Sequence, residues 1–166
     1  VKLLCIFNVM QKLSRRAILS FVGAVTFFGS FASLAQGLVT FDRSPLYIIT
    51  VSGKHKFDVE LALTDRQQIQ GLMFRRSLPG NAGMLFDYRM PRLINMWMKN
   101  TFIPLDMIFI GNDGKIVNIA QRTIPHSEAM ITSRGKARAV LEVNGGTVSR
   151  LGIIPGDKVE HPIFKK

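Results

Sequence analysis

The sequence predicts an α+β fold: a mainly antiparallel β sheet or small barrel-like fold, with one main helix at about 64–76 and a short second helix at about 147–151. Two observations predict it. Short β-branched and aromatic runs recur between Gly- and Pro-containing turns, the pattern of an antiparallel sheet or barrel. Only one of the longer spacers has a helical period, which argues against a doubly wound parallel sheet. A length of 166 residues allows one domain plus a targeting segment. Apolar residues make up 47% and charged residues 20%, an ordinary globular mix.

The N-terminal 35 residues read as an address label. Lys12-Leu13-Ser14-Arg15-Arg16 is a positive n-region, Ala17 to Leu34 is mostly apolar, and Ser33-Leu34-Ala35 offers the small residues of a cleavage site. The expected product is a periplasmic or secreted protein, cut near Ala35. Ser14-Arg15-Arg16-Ala17-Ile18-Leu19 resembles the twin-arginine export signal, and Met10 reads as a better start than Val1. The apolar run is also long enough for a membrane helix, so an inner-membrane anchor at 17–34 is the alternative, and the membrane would be a partner only through this segment if it stays uncleaved. No Cys follows the run, against a lipoprotein, and the single Cys5 excludes an intrachain disulfide.

Gln36 to Pro45 reads as a linker, with a single β-rich domain from 46 to 166. Leu46 to Val51 is a strand by composition. Lys56 to Leu63 alternates, placing Phe57, Val59, Leu61 and Leu63 on one face. Thr64-Asp65-Arg66-Gln67 is a capping box opening the main helix. Ile69, Leu72 and Met73 form its apolar stripe, with Gly71 beside them for close approach to a sheet, and Arg75 and Arg76 fall in its last turn. Gly83 to Phe86 is a strand and Asp87 to Arg92 a loop holding Pro91. Asn95 to Ile110 reads as two strands joined by a bend at Asn100 to Pro104, and Lys115 to Ala120 pairs back across Asn112-Asp113-Gly114. Arg122 to Lys136 has no clean period, so it is the expected lid or binding loop. Ala137 to Val143 and Lys158 to His161 are the last strands.

The formal net charge is +11, leaving +7 once the four basic residues of 1–35 are set aside. For an exported protein such a balance attracts anionic lipid or glycan rather than nucleic acid, though a merely solvated basic surface explains it equally. His55, His126 and His161 lack ligand spacing, the mature part has no Cys, and no nucleophile elbow or phosphate loop is present. No cofactor is expected. No metal site is expected; Met73, Met84, Met96 and Met98 are weak candidates for a soft metal such as Cu(I), set against the ordinary role of methionine as a core filler.

Asp106, in the apolar run Leu105 to Ile110, is either a working carboxylate or a fold element accepting backbone N–H groups. Glu142 poses the same question in Val140-Leu141-Glu142-Val143. If their strands lie side by side, the two carboxylates are candidates for a catalytic pair. Arg75 would hold an anionic ligand, or else satisfy Asp106 or Glu142. Trp97, Asn100 and Thr101 complete the expected ligand site.

Gly71-Leu72-Met73-Phe74-Arg75, Gly83-Met84-Leu85-Phe86, Trp97-Met98-Lys99-Asn100-Thr101, Pro104-Leu105-Asp106, Val140-Leu141-Glu142 and Gly156-Asp157 stand in an order that resembles the bacterial and archaeal domain of unknown function 192 family. The resemblance covers about Phe57 to Val159. It implies a compact, mainly β domain, often exported, and it implies no activity. The function expected from the residues is binding of an unidentified small molecule or anionic envelope polymer. The alternatives are a carboxylate-dependent hydrolase acting on cell-wall glycan or peptide, and a structural protein docking through a basic face.

Overall fold

The computed structural model describes residues 39–164. The signal peptide, its cleavage site, the anchor alternative and the start of the linker lie outside the described residues. The chain runs β1 (Arg43–Thr50), β2 (Gly53–Ala62), α1 (Asp65–Gln70), β3 (Ala82–Arg92), β4 (Asn95–Met96), β5 (Leu105–Ile110), β6 (Ile116–Ala120), β7 (Ile131–Thr132), β8 (Ala137–Asn144), α2 (Thr147–Leu151) and β9 (Lys158–Glu160). Seven strands form one sheet in the order β6-β5-β8-β3-β2-β1-β9, and β4 pairs with β7 in a separate ribbon. The β2–β3 pair is parallel, bridged by α1, and the sheet's other pairs are antiparallel.

The sheet curls until its two edge strands meet. Lys115, just before β6, bridges Lys158 of β9. Ile116 N–H donates to the Asp157 carbonyl at 3.0 Å, and Val159 N–H to that of Gly114 at 2.8 Å. Curling consumes the edge groups that an open sheet would leave unpaired. Side chains alternate across each strand, so the sheet has two apolar faces. One, enclosed by the curl, holds Leu46, Ile48, Phe57, Val59, Leu85, Ile108, Leu141 and Val143. The other holds Met84, Phe86, Met107, Phe109 and Val140, covered by Leu72, Ile94, Met96 and Met98 from the segments around α1 and β4.

The capping box forms as expected. Thr64 Oγ1 accepts from Gln67 N–H at 3.3 Å, and Gln67 Oε1 accepts from Thr64 N–H at 3.1 Å. The helix is shorter than the expected 64–76. It ends at Gln70, because Gly71 takes φ 46° and ψ −138°, a conformation that only glycine adopts at low cost. A Cβ at Gly71 would stand 3.2 Å from Phe86 Cζ, so the anticipated close approach is real. Arg75 and Arg76 therefore follow the helix instead of ending it. Ile69 is 72% exposed and is not part of the core stripe. The expected loop 87–92 is strand, with Pro91 accommodated where the β3–β8 register shifts. The two strands on either side of the 100–104 bend do not pair with each other: β4 joins β7, and β5 inserts between β6 and β8.

Candidate functional site

Pairing register decides which side chains can meet. Cross-strand partners share a face, and one step along a strand changes face. On β8, Glu142 is opposite Met84 of β3 and Met107 of β5, while Asp106 of β5 is opposite Val143. Asp106 and Glu142 therefore point to opposite sides of the sheet, and the expected carboxylate pair does not exist.

Asp106 lies on the enclosed side with no solvent exposure. Its Oδ1 accepts from Arg122 N–H at 2.7 Å, and its Oδ2 accepts from Gly146 N–H at 3.0 Å and Val148 N–H at 2.8 Å. A carboxylate so placed satisfies the free donors at the start of α2 and suits the positive end of that helix. Asp106 is thus a fold element that fastens α2 and the 122 corner to β5. Three of its four acceptor sites are taken and the side chain has no solvent exposure, so this structural role replaces the expected catalytic and binding roles of Asp106.

Arg75 is also occupied. Its guanidinium forks onto Glu60, with Nη1 at 2.9 Å from Oε1 and Nη2 at 2.5 Å from Oε2. Arg43 adds a further contact to Oε1 at 3.2 Å. The Arg75 hydrogen bonds hold the Glu60 carboxyl below its ordinary range, against the opposing effect of burial, and Glu60 in turn raises Arg75. An anion clamp at Arg75 is replaced by this ion pair. Asn100 has φ 55° and places its carbonyl to accept from Phe74 N–H at 2.9 Å, a bend element beside the site.

Glu142 is different. It lies on the face of Met84 and Met107, is 4% exposed, and has no hydrogen-bond or ion-pair partner among the described residues. Burial pushes its carboxyl up to about 8, so it is mostly protonated at neutral pH. It lines a cavity of about 480 Å³ between the sheet and the α1 and β4 segments. The wall includes Gly71, Leu72 and Met73 after the helix, Phe86 and Tyr88 of β3, Met96 and Trp97, Thr101, and Met130 from the 122–136 segment. Tyr88 is pushed to about 12 by burial and then by the neighbouring Glu142. A cavity of this size, mostly apolar with few polar groups, has the character of small-molecule sites.

Of the expected ligand residues, the structure gathers Trp97, Thr101 and Glu142 here, and leaves Arg75, Asn100 and Asp106 out of the wall. The methionine candidates divide. Met73 and Met96 line the cavity, whereas Met84 and Met98 are fully buried. Three sulfurs already accept hydrogen bonds: Met96 from Tyr88 Oη at 3.4 Å, Met98 from Thr123 Oγ1 at 3.0 Å, and Met73 from Asn100 Nδ2 at 3.9 Å. No cluster of three His, Cys, Asp or Glu side chains suited to a metal is found among the described residues. Phe86, Tyr88 and Met130 were not anticipated. The alternation Met84, Phe86, Tyr88 is the signal for the two aromatics, broken at Tyr88 by the loop expected over 87–92, and Met130 has no such signal.

A second cavity, of about 540 Å³, opens beside β1 and β9 and is lined in part by His161. His161 Nδ1 accepts from Ile163 N–H at 3.3 Å, its buried Nε2 has no partner among the described residues, and burial holds the imidazole below its ordinary range.

Residues 47–161 match the model of the DUF192 family, described as an uncharacterized ACR. A crystal structure from Sinorhizobium meliloti 1021, described as a candidate transcription regulator, is similar at 50% identity and a TM-score of 0.72, covering 75% of this chain and 97% of that one. A protein of unknown function from Novosphingobium aromaticivorans is similar at 46% identity and a TM-score of 0.70, covering 72% of this chain and 85% of that one. No curated protein matches the chain.

Proposed function

The chain belongs to the DUF192 family, and we propose that this member is an exported small-molecule binding protein whose working surface is the cavity beside Glu142. One observation carries the reading: a nearly buried carboxyl group with no hydrogen-bond or ion-pair partner among the described residues lines a mostly apolar cavity. Leaving a polar group so placed costs stability, and a ligand that hydrogen-bonds it would recover that cost. Export rests on the charged and apolar pattern of residues 12–35. The hydrolase alternative loses Asp106, its expected second carboxylate, to the sheet register. An anionic polymer would need a free cation at the site, and Arg75 is engaged by Glu60.

The test is a thermal-shift screen of small molecules on the full chain, with hits mapped by NMR of ¹³C-methyl-labelled methionine. Hits are expected to move the Met73, Met96 and Met130 methyl signals and to change Trp97 emission. Stabilising hits that move only Met90, or none of the eight methionines, would place binding elsewhere.

A further inference from the structure

Among the described residues, the cavity wall carries two acidic residues, Asp65 and Glu142, and no Lys, Arg or His. That is a local reversal in a chain of net charge +11. Its remaining polar groups are neutral, and its rings and thioethers present electron-rich faces.

The charges around Glu142 sharpen the point. Along its row across the sheet stand Glu60, Met84 and Met107, and Glu60 is neutralised by Arg75 and Arg43. From β3 the titratable group is Tyr88, and from α1 it is Asp65, while β4 and the 122–136 segment present Asn95, Met96 and Met130 to the wall. Two cations touch wall aromatics without themselves joining the wall. Arg92 stacks on the Tyr88 ring at 4.4 Å, and Lys99 sits 5.3 Å from the Trp97 ring and 3.7 Å from Glu128. No cationic side chain among the described residues pairs with the Glu142 carboxylate.

Resting on the reading of this cavity as a ligand site, we propose that its ligand class is organic cations: an ammonium group beside Glu142, with an apolar body against Phe86, Tyr88 and Trp97. Size separates this from a bare metal ion. About 480 Å³ is the volume of an organic ligand site, far more than one ion fills. The sulfurs of Met73 and Met96 that would bind a soft metal already accept hydrogen bonds from Asn100 and Tyr88. Aromatic faces with one carboxylate are a known chemical solution for ammonium groups.

Binding a cation requires Glu142 in its ionised form, so affinity rises with pH until the carboxyl is ionised without help. Benzyltrimethylammonium is a suitable probe because it does not titrate. Its controls are neopentylbenzene, the uncharged carbon isostere, and benzenesulfonate, an anion. With the free carboxyl at about 8, benzyltrimethylammonium affinity for the full chain should rise on the order of fifty- to a hundred-fold from pH 6 to pH 9. Glu142→Gln, which keeps shape and removes the charge, should flatten that rise and abolish the preference over neopentylbenzene. The wild-type pH profile reads the same group if the variant folds poorly. Equal binding of the neutral isostere at every pH would overturn the cation assignment while leaving the cavity as a ligand site. So would tighter binding of benzenesulfonate, or Ag(I) shifting the Met73 and Met96 methyls at one equivalent. Failure of all three organic probes to bind would overturn the cavity reading together with this one.

Discussion

Replacing Glu142 with Gln should change how stability depends on pH in a way that no other substitution at the site does. The folded carboxyl sits at about 8 against an unfolded value of 4.5. Between those values the folded state holds a proton that the unfolded state has released. Folding is therefore progressively disfavoured as pH rises through that window, the reverse of an ion-paired carboxylate. Each pH unit well inside the window is worth about 1.4 kcal/mol, so wild type should lose roughly 2–3 kcal/mol relative to Glu142→Gln between pH 5.5 and 7.5. Urea denaturation of both proteins at those two pH values, followed by far-UV circular dichroism, measures the difference. The sign matters as much as the size: the variant should become the more stable protein at the higher pH. Parallel pH profiles would mean that Glu142 titrates normally, and that it is solvated or paired in the native protein.

Other substitutions test the neighbouring assignments. Asp106→Ala strands three backbone donors in the interior and should cost about 4 kcal/mol in the same denaturation assay, with amide exchange accelerated at Arg122, Gly146 and Val148. Arg75→Ala should cost about 2 kcal/mol near pH 7. The Glu60 carboxyl is held low in the fold, so that stability is present above 4.5 and is lost as pH falls below it; the difference from wild type should shrink in acid. Gly71→Ala forces a Cβ into an unfavourable backbone conformation 3.2 Å from Phe86 and should lower stability by about 2 kcal/mol in urea denaturation.

What the sequence revealed follows the range of the interactions involved. The Thr64 capping box is local and was legible, as was α2, bracketed by Gly146 and Gly152 in left-handed conformations. The turn linking β5 to β6 was also legible, because hairpin pairing depends on adjacent residues. The β4–β7 ribbon joins segments far apart in sequence, and nothing in Asn95-Met96 names Ile131-Thr132 as its partner. The opposite orientations of Asp106 and Glu142 depend on the register between β5 and β8, which no single-strand pattern contains. Trp97, Thr101, Met73, Met96 and Glu142, each singled out in the sequence, line one cavity, but the sequence does not show that they share it. That Glu60 would claim Arg75 was not legible, because the alternation of β2 places Glu60 off the apolar face and says nothing of which segment packs there.

The most direct measurement is ¹³C NMR titration of the Glu142 side-chain carboxyl in the full chain, without and with benzyltrimethylammonium. The free protein should titrate at about 8, and saturation with the cation should move that titration down toward the ordinary carboxylate range. A free carboxyl that titrates in the ordinary range, or one whose titration the bound cation leaves unchanged, would contradict the account.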